Sequence, residues 1–431
     1  MSAALTVLLV SFAIFMAARI PLAFTMLLSA SLYMIASGQK LTVVSHRLFT
    51  GIDTFTLMAI PFFILASELM VVSGTAERLL DFANMLVGGL RGGLAYVNVF
   101  ASMMFGGCSG SAIADVAGLG RLEIAMMTKG GYTLPFSAAV TVSSSIQGPL
   151  IPPSITMVLI GAVTGSSIGA LLLGGAIPGI LVGLSQCVVI FIYGRRRNFP
   201  VQKLTYTNRD RLRISLSSIP FLLMPAIIVG GIITGWFTPT EAAAVAVLYG
   251  IILTIIYRRG RVSLGELRGV FGRSVVTATS ILMLSGASNI FGWILTSERV
   301  PTLISGAITS LTGNKHFFLL LVNIFLLVFG MVMDSMPAIT ILTPILFPIA
   351  TSMGIDPVHF GVVVGFNLIV GLITPPYGVA LFTGTIVSGL PMEKLIRELV
   401  PFILSSLAIL ALVTYVPQTV LFVPALFGLD K

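Results

Sequence analysis

Four segments of the chain place glycine beside proline, hydroxyl or carboxylate groups inside stretches that are otherwise apolar. Proline lacks a backbone N–H and clashes with the preceding helical turn, and glycine weakens a helix, so each segment should leave backbone carbonyl groups unpaired. Carbonyl oxygens, together with serine, threonine or aspartate oxygens, are the ligands that a hard cation such as Na⁺ takes. The segments are GGCSGS at 106–111, QGPLIPP at 147–153, GMVMDS at 330–335 and GLITPP at 371–376.

Asp334 is the residue with the sharpest chemical signal. It interrupts an apolar stretch that runs from residue 319 to residue 349, and a carboxylate inside a membrane is costly unless it is paired or functional. We interpret it as a cation ligand or proton acceptor, and the alternative is a helix N-cap near the interface. For Asp115, one turn after Ser111, capping or a structural hydrogen bond is the slightly better interpretation. Solvated or interfacial roles are expected for the glutamates at or near span ends, Glu68, Glu123 and Glu241.

The sequence GCSG at 107–110 matches the G-x-S-G motif of intramembrane serine proteases. Such an enzyme needs a histidine near the depth of Ser109. The three histidines, His46, His316 and His359, all lie beside charged or turn residues at predicted span ends. The second half of the chain has no counterpart of the motif. We therefore do not expect an enzyme, and a protease acting through Ser109 stays a remote alternative.

The composition indicates which elements must position these segments. Of 431 residues, 56% are hydrophobic and 9% are charged, whereas a soluble domain carries about 25% charged residues. Apolar runs long enough to cross a membrane recur, for example at 3–18, 219–233, 242–257 and 317–333. The sequence therefore predicts an all-α polytopic membrane protein. Because the first ten residues contain no lysine or arginine, we expect no cleavable signal peptide.

The formal net charge of +9 indicates membrane orientation rather than a nucleic-acid partner. The positive residues cluster in loops that flank apolar spans, as the positive-inside rule predicts for cytoplasmic loops. The clusters comprise Arg195, Arg196, Arg197, Lys203, Arg209, Arg211 and Arg213, and then Arg258, Arg259, Arg261, Arg268 and Arg273.

The second half of the chain repeats motifs of the first. GPLIPP at 148–153 corresponds to GLITPP at 371–376, and a further proline follows each pair at the same distance, Pro178 and Pro401. Phe-Gly pairs precede both motifs at nearly equal spacing, and VNVF at 97–100 matches VNIF at 322–325. Four agreements in the same order predict a duplicated unit.

The charge pattern predicts that the two copies are inverted. Two spans, at 215–235 and 240–257, fit between the cytoplasmic clusters, so the turn between them is on the periplasmic side. In the pair at 3–18 and 22–36 the turn contains Arg19, which places it on the cytoplasmic side. The halves therefore start on opposite faces, and both termini are expected in the periplasm. The predicted domains are a first inverted repeat at 1–195, a basic cytoplasmic linker at 196–213 and a second repeat at 214–431.

Each repeat is expected to contain an arm helix, a re-entrant hairpin and a broken span. Amphipathic stretches at 77–91 and 300–315 are too polar to span, so we interpret them as interfacial arms, with ordinary loops as the alternative. Hairpin tips are predicted near 107–111 and 330–336, and broken spans near 147–153 and 371–376. This organisation is typical of secondary transporters. Each tip facing a break predicts one ion site, with an anionic substrate between the two pairs.

These motifs, in this order, resemble the large membrane subunit of the tripartite ATP-independent periplasmic (TRAP) transporters. The resemblance covers essentially the whole chain and rests on residues 105–115, GPLIPPSI at 148–155, SIG at 167–169, Pro178-Gly179, Asp334 and GLITPPYG at 371–378. It implies the ion-transporter superfamily fold, with a scaffold and an elevator-type transport domain. It also implies a bacterial inner-membrane location, Na⁺ coupling, a separate small four-span membrane subunit and a periplasmic substrate-binding protein. The implied substrates are carboxylates such as C4-dicarboxylates or sialic acids.

Carried over by motif, the resemblance implies two Na⁺ sites and no organic cofactor. The first would use Gly107, Ser109, Gly110 and Ser111 at the tip, with Ser145, Gln147, Gly148 and Pro149 opposite. The second would use Gly330, Asp334 and Ser335, with Gly371, Thr374 and Pro375. The substrate would contact Ser111, Pro153, Ser335 and Pro376. A stand-alone Na⁺- or H⁺-coupled carboxylate symporter of the same superfamily is the alternative.

Overall fold

The computed structural model describes residues 2–197, 199–201, 204, 206–258, 262–300, 303 and 314–429, and in these residues the secondary structure is helical. The helices of the first half are α1 Ala3–Ala17, α2 Leu22–Ala36, α3 Thr42–Ile52, α4 Ala59–Val72 after a 3₁₀ turn at Phe55–Met58, α5 Thr75–Val87, α6 Gly93–Ser109, α7 Ala112–Gly118, α8 Gly120–Lys129, α9 Leu134–Ser144 with a 3₁₀ turn at Ser145–Gln147, α10 Ile155–Thr164 and α11 Ile168–Arg196. Those of the second half are α12 Asn208–Ile233, α13 Pro239–Arg258, α14 Leu264–Ser297, α15 Lys315–Val332, α16 Ser335–Ser352, α17 Pro357–Gly371, α18 Val379–Ser388, α19 Met392–Tyr415 and α20 Gln418–Leu426.

Eight of the described helical segments are long and apolar enough to cross a membrane. Helices α1, α2, α12 and α13 occupy the residues predicted for the first pair of spans in each half. Sequence reasoning missed one further span in each half, namely α4 with its preceding turn, and α14. Both carry a charged residue that interrupts the apolar pattern, and these two residues, Glu68 and Arg273, form an ion pair at 2.8 Å.

The arm prediction can be followed in the first half only. Helix α5 covers most of the predicted arm at 77–91 and carries its apolar residues on one buried face. The second arm, predicted at 300–315, falls mainly on residues 301–302 and 304–313, which lie outside the described residues. The same is true of Lys203, Arg259 and Arg261 in the basic clusters.

The re-entrant hairpins and broken spans form where the glycine and proline motifs interrupt helices. The first hairpin consists of α6–α8 and the second of α15–α16; the first broken span consists of α9–α10 and the second of α17–α18. Gly110 ends α6 with φ +61°, a backbone conformation that favours glycine. The Pro152–Pro153 and Pro375–Pro376 peptide bonds, both cis, lie in the two breaks.

The two broken spans run in opposite directions along α19. Phe136, near the start of α9, packs against Phe402 in the first half of α19. By contrast, Nε2 of His359, near the start of α17, donates to the carbonyl of Val413 close to the end of α19, at 2.9 Å. One broken span therefore begins where the other approaches its end, which is the antiparallel relation that inverted repeats require.

The helices form two packed groups. Helices α1–α4 and α12–α14 contact mainly one another, whereas the hairpins and broken spans pack with α11, α19 and α20. The groups meet where α14 packs against α16 and where α6 packs against α4 and α12. The second group holds all four motifs that sequence reasoning singled out.

Candidate functional site

The first hairpin tip lies directly against the first helix break. A Cβ added to Gly106 would lie 2.5 Å from Cα of Gly148, closer than side chains approach a backbone in proteins. A Cβ on Gly110 would lie 2.8 Å from the carbonyl oxygen of Pro153. Only glycine therefore permits this approach of two backbones. The structure brings the predicted tip and the predicted break into contact.

This first half-site contains buried oxygens that lack a hydrogen-bond partner. Ser109 is 3% exposed, and its Oγ has no partner in the described part of the chain. Gln147 donates from Nε2 to Oε1 of Gln186 at 2.8 Å, which leaves its own Oε1 without a partner. Buried polar atoms are normally paired, so these two acceptors are available to a ligand.

Other predicted oxygens of the first half-site are already engaged. Ser111 caps α7, where its Oγ accepts from the N–H of Ala114 at 3.4 Å. The Ser145 hydroxyl donates to its own helix, to the carbonyl of Val142 at 2.8 Å. The Pro149 carbonyl accepts the hydroxyl of Ser154. Each of these oxygens keeps a further lone pair, but none is as free as Ser109 Oγ.

The proline pairs explain why backbone carbonyls are released at both breaks. In a helix the carbonyl of residue i accepts from the N–H of residue i+4. Pro152 and Pro375 stand four residues after Gly148 and Gly371, and they have no N–H to donate. The carbonyls of these two glycines therefore lose their helical donors at equivalent positions of the two repeats.

The second hairpin meets the second break through the equivalent glycines. A Cβ on Gly371 would lie 2.5 Å from both Cα and C of Gly330. A Cβ on Gly330 would in turn lie 3.0 Å from the carbonyl oxygen of Leu368. The pair Gly330–Gly371 thus repeats the pair Gly106–Gly148.

The oxygens of the second half-site surround the start of α16. Asp334 immediately precedes this helix, and the Ser335 hydroxyl donates to its Oδ1 at 3.2 Å. The N–H groups at the N-terminus of a helix stabilise a negative charge, and the carboxylate oxygens can also bind a cation there. Thr374, in the break, is 7% exposed and donates its hydroxyl proton to Val370 at 2.7 Å. The lone pairs of its hydroxyl oxygen remain available, whereas the Gly371 carbonyl accepts from the N–H of Thr374 at 3.0 Å and keeps one further lone pair.

Two asparagines that sequence reasoning recognised only as repeat markers connect each hairpin to its broken span. Asn98 donates to Thr141 Oγ1 at 2.6 Å and accepts from the Ser144 hydroxyl at 3.0 Å. Its repeat equivalent, Asn323, accepts from the Asn367 amide at 2.8 Å. The signal that could have identified them was their position in the repeated VNVF and VNIF sequences.

The two half-sites share one packed core. Helix α10, after the first break, packs against α16 and α17 of the second half, and α18 packs against α7 of the first. Gly365 in α17 permits this contact, because a Cβ there would lie 2.9 Å from Ile160 and from Met157. Close-packed side chains therefore join the hairpins and broken spans of the two halves.

The first hairpin also buries two carboxyl groups for which the sequence predicted other roles. Glu123 was expected to be solvated or interfacial, but it is 0% exposed and only its Oε1 accepts a bond, from the Ser102 hydroxyl at 3.3 Å. Asp115 was expected to cap a helix or hold a structural hydrogen bond, yet neither of its oxygens has a partner among the described residues. Both predictions were wrong because packing of α7 and α8 against α6 and α9 was not visible in the sequence.

This burial leads to a prediction for Glu123. Replacing it with glutamine should leave the melting temperature of the purified chain unchanged or raise it, because a neutral amide of the same size carries no charge into a site where Oε2 has no partner. The amide also removes the electrostatic repulsion between Glu123 and Asp115. Thermal unfolding in detergent at neutral pH measures the effect, with Glu266→Gln, at a half-buried helix start, as the control. A clear fall in melting temperature for Glu123→Gln alone would contradict the prediction.

Ser109 lacks the partner that a serine protease would need. The His359 ring bonds to Val413, and the His316 ring packs against Tyr415 with centroids 6.0 Å apart, both at the end of α19. The third histidine, His46, lies in α3 and is exposed. No histidine hydrogen-bonds to Ser109 within the described residues.

Comparisons with known proteins agree with this architecture. Residues 9–419 match the family described as tripartite ATP-independent periplasmic transporter, DctM component. The chain is 38% identical to the sialic acid TRAP transporter large permease protein SiaM of Vibrio cholerae, over 95% of this chain and 96% of that protein. It is 40% identical to the C4-dicarboxylate TRAP transporter large permease protein DctM of Pseudomonas aeruginosa, over 89% of this chain and 90% of that one.

A solved structure shares the fold at much lower sequence identity. The YdaH transporter of Alcanivorax borkumensis, whose crystal structure is described as revealing an unusual topology, aligns with a TM-score of 0.63 and 13% identity. The alignment covers 86% of each chain. At this identity the similarity concerns the fold alone.

Proposed function

The chain belongs to the DctM family of TRAP transporter large permease subunits, and on this premise we propose that it imports an organic carboxylate by Na⁺-coupled alternating access. The proposed substrates are sialic acids or C4-dicarboxylates, the compounds named for two of its relatives. The observation that carries the proposal is the pair of matching half-sites. In each, a hairpin tip touches a helix break through paired glycines. Beside this contact the first half-site has the unpartnered oxygens of Ser109 and Gln147, and the second has the carboxylate of Asp334.

Each half-site offers ligands that suit Na⁺. The first supplies Ser109 Oγ and the carbonyl of Gly148, with Gly107, Gly110, Ser111, Ser145, Gln147 and Pro149 around them. The second supplies Asp334, Ser335, Thr374 and the carbonyl of Gly371, beside Gly330 and Pro375. Neither set contains a basic residue, so a bound cation would supply most of the positive charge that an anionic substrate needs.

We propose an order of binding that follows from this charge distribution. Na⁺ binds first and fixes each hairpin tip against its break, because its ligands come from both elements. The substrate carboxylate then binds between the tips, near Ser111, Pro153, Ser335 and Pro376, where helices α7 and α16 begin and their N–H groups attract an anion. The group of helices that holds the half-sites then moves as an elevator against the scaffold formed by α1–α4 and α12–α14.

The partners and location follow from the family. TRAP systems are tripartite, and we propose that this chain works with a separate small four-span membrane subunit and a periplasmic binding protein that delivers the substrate. The proposed location is the bacterial inner membrane with both termini in the periplasm, since the basic ends of α11 and α13 then face the cytoplasm.

The first test concerns Na⁺ dependence at Ser109. Ser109→Ala should raise the Na⁺ concentration for half-maximal uptake about tenfold or more. The reason is that a ligand oxygen contributing about 1.4 kcal/mol to the binding free energy changes the Na⁺ affinity tenfold. Uptake of radiolabelled N-acetylneuraminate and succinate is measured in proteoliposomes that contain the permease and its partner proteins, over a range of Na⁺ concentrations.

Ser137→Ala is the matched control. Ser137 is equally buried in α9, but its hydroxyl donates within its own helix, to Thr133 at 3.0 Å. The control should keep normal Na⁺ dependence. Equal Na⁺ dependence in Ser109→Ala and Ser137→Ala would contradict the assignment of the first ion site.

A further inference from the structure

A cavity of about 290 Å³ lies between the two groups of helices. One wall is formed by Arg47 on α3 and by Ser285, Asn289 and Trp293 on α14; the other includes Pro344 on α16. This cavity, called the Arg47 cavity below, has no acidic residue among the described residues that line it.

The Arg47 cavity lies at the end of the molecule opposite the basic clusters. Leu57, at its rim, belongs to the 3₁₀ turn whose first residue, Phe55, accepts a hydrogen bond from Thr240 at 2.9 Å. Thr240 is at the start of α13, and that helix ends at the basic residue Arg258. By the orientation derived above, the cavity is on the periplasmic side.

Arg47 is a half-buried cation that forms none of the salt bridges found in the described structure. Its guanidinium lies over the ring of Trp293, 5.0 Å from the centroid. A cation–π contact positions the guanidinium but leaves its N–H donors free. Arginine in this situation is suited to bidentate binding of a carboxylate.

A second group in the same cavity also lacks a partner. Ser285 is 6% exposed, and its Oγ makes no hydrogen bond within the described residues. Its neighbour Ser288 differs, because the Ser288 hydroxyl donates to the carbonyl of Thr340. An unpaired buried hydroxyl and an unpaired guanidinium in the same cavity indicate a site for a polar, anionic ligand.

Close helix packing holds Arg47 in place. A Cβ on Gly51 would lie 2.5 Å from Cβ of Asn289, and a Cβ on Gly286 would lie 2.8 Å from the carbonyl oxygen of Leu48. Helices α3 and α14 therefore cross at small residues, which permits a close and rigid contact in a membrane. The guanidinium belongs to the scaffold, whereas Pro344 across the cavity belongs to the second hairpin.

The Pro344 side of the cavity lies some way from the second hairpin tip. Pro344 follows Ser335 by nine residues on α16, a distance of about 14 Å at the helical rise of 1.5 Å per residue. Ser288, also in the lining, is nearer to the tip, because it donates to the carbonyl of Thr340, five residues after Ser335.

We propose that the Arg47 cavity is a second carboxylate-binding site, in which an incoming organic anion is held by the scaffold before it reaches the hairpin tips. This proposal rests on the proposed function, because it takes the transported carboxylate as the ligand. It requires no Na⁺, because the guanidinium supplies the positive charge. The ligand's carboxylate pairs with Arg47, and the ligand also hydrogen-bonds to Ser285.

Trp293 provides a direct test of occupancy. The chain contains two tryptophans, and the other, Trp236, is 80% exposed, so Trp236→Phe leaves Trp293 as the sole reporter. Potassium succinate and potassium N-acetylneuraminate are titrated into the purified full chain without Na⁺, against potassium chloride at equal ionic strength. A saturable change in Trp293 emission is expected with at least one of them. It should disappear in Arg47→Gln and persist in Asp334→Ala, both made in the Trp236→Phe background.

Uptake kinetics supply the second readout. Arg47→Gln should raise KM for the carboxylate about tenfold while leaving the Na⁺ concentration for half-maximal uptake unchanged. Arg47→Lys keeps the charge, so its KM should lie between those of the unaltered protein and Arg47→Gln. No saturable emission change with either probe, or an equal change in Arg47→Gln, would overturn the proposal. The titration contains no Na⁺, so its failure would say nothing about Na⁺ coupling at the hairpin tips. That coupling is tested separately by the uptake measurements.

Discussion

Replacing Gly371 with alanine is expected to reduce uptake at least about 100-fold. The added Cβ would lie 2.5 Å from the backbone of Gly330, so the second hairpin tip and the second break could no longer touch. Overpacking of this kind costs about 1–3 kcal/mol or more, and a barrier change of about 2.7 kcal/mol slows a process about 100-fold. Gly106→Ala should have a similar effect in the first half, because its Cβ meets Cα of Gly148 at the same distance.

Gly272→Ala is the control for both substitutions. Gly272 lies within α14, and a Cβ there would meet no atom within 4 Å. It should leave uptake unchanged and stabilise the helix slightly, since alanine has the higher helix propensity. Uptake of the carboxylate in proteoliposomes is compared at equal amounts of folded protein, verified by size-exclusion chromatography. If Gly371→Ala transported like Gly272→Ala, close contact between tip and break would not be needed for function.

Asp334→Ala is expected to abolish Na⁺-dependent uptake. The second half-site would lose its one carboxylate, and removing one partner of a buried charge interaction costs about 3–5 kcal/mol, or more than about 100-fold in Na⁺ affinity. Asp334→Asn should retain partial activity, since its amide oxygen can still act as a ligand without the charge. Uptake is measured as a function of Na⁺ concentration and of membrane potential.

Asp356→Asn serves as the matched carboxylate control. Asp356 caps α17 by accepting from the N–H of His359 at 2.9 Å, at the end of that helix away from the break. Asparagine can cap as well as aspartate, so this variant should keep both stability and Na⁺ dependence. The second ion site would be refuted if Asp334→Ala still showed Na⁺-dependent uptake with the same half-maximal Na⁺ concentration as the unaltered protein.

The repeat and the break positions could be predicted because backbone chemistry fixes them locally. Proline removes a helical donor in any fold, so the breaks at 147–153 and 371–376 were predicted from the sequence, whereas Gly148 and Gly371 as ion ligands came from the family resemblance. The sequence predicted that each tip faces a break, but it did not predict the particular contact of Gly106 with Gly148. The structure brings both pairs together.

What sequence reasoning missed depends on contacts between distant segments. Glu123 was expected to be solvated or interfacial because it lies at or near a predicted span end, yet it is fully buried while Arg121, two residues before it, is exposed. Helix α14 was overlooked as a span because Arg273 interrupts its apolar pattern, and only folding shows that Glu68 pairs with it. Charge in a sequence indicates polarity, but the neighbours that neutralise it are set by tertiary packing.

The opposite directions of the two broken spans have a thermodynamic consequence. A molecule whose halves are related by a half-turn in the membrane plane can exchange their roles and so arrive at a conformation of similar free energy that faces the other side. Neither direction would then be favoured by the protein itself, and net flow would be set by the gradients across the membrane. Asp115 and Glu123 have no acidic counterparts at the repeat-equivalent positions, Ile339 and Phe347. They are among the differences that could make the two resting states unequal, together with Asp334, whose repeat equivalent is Gly110.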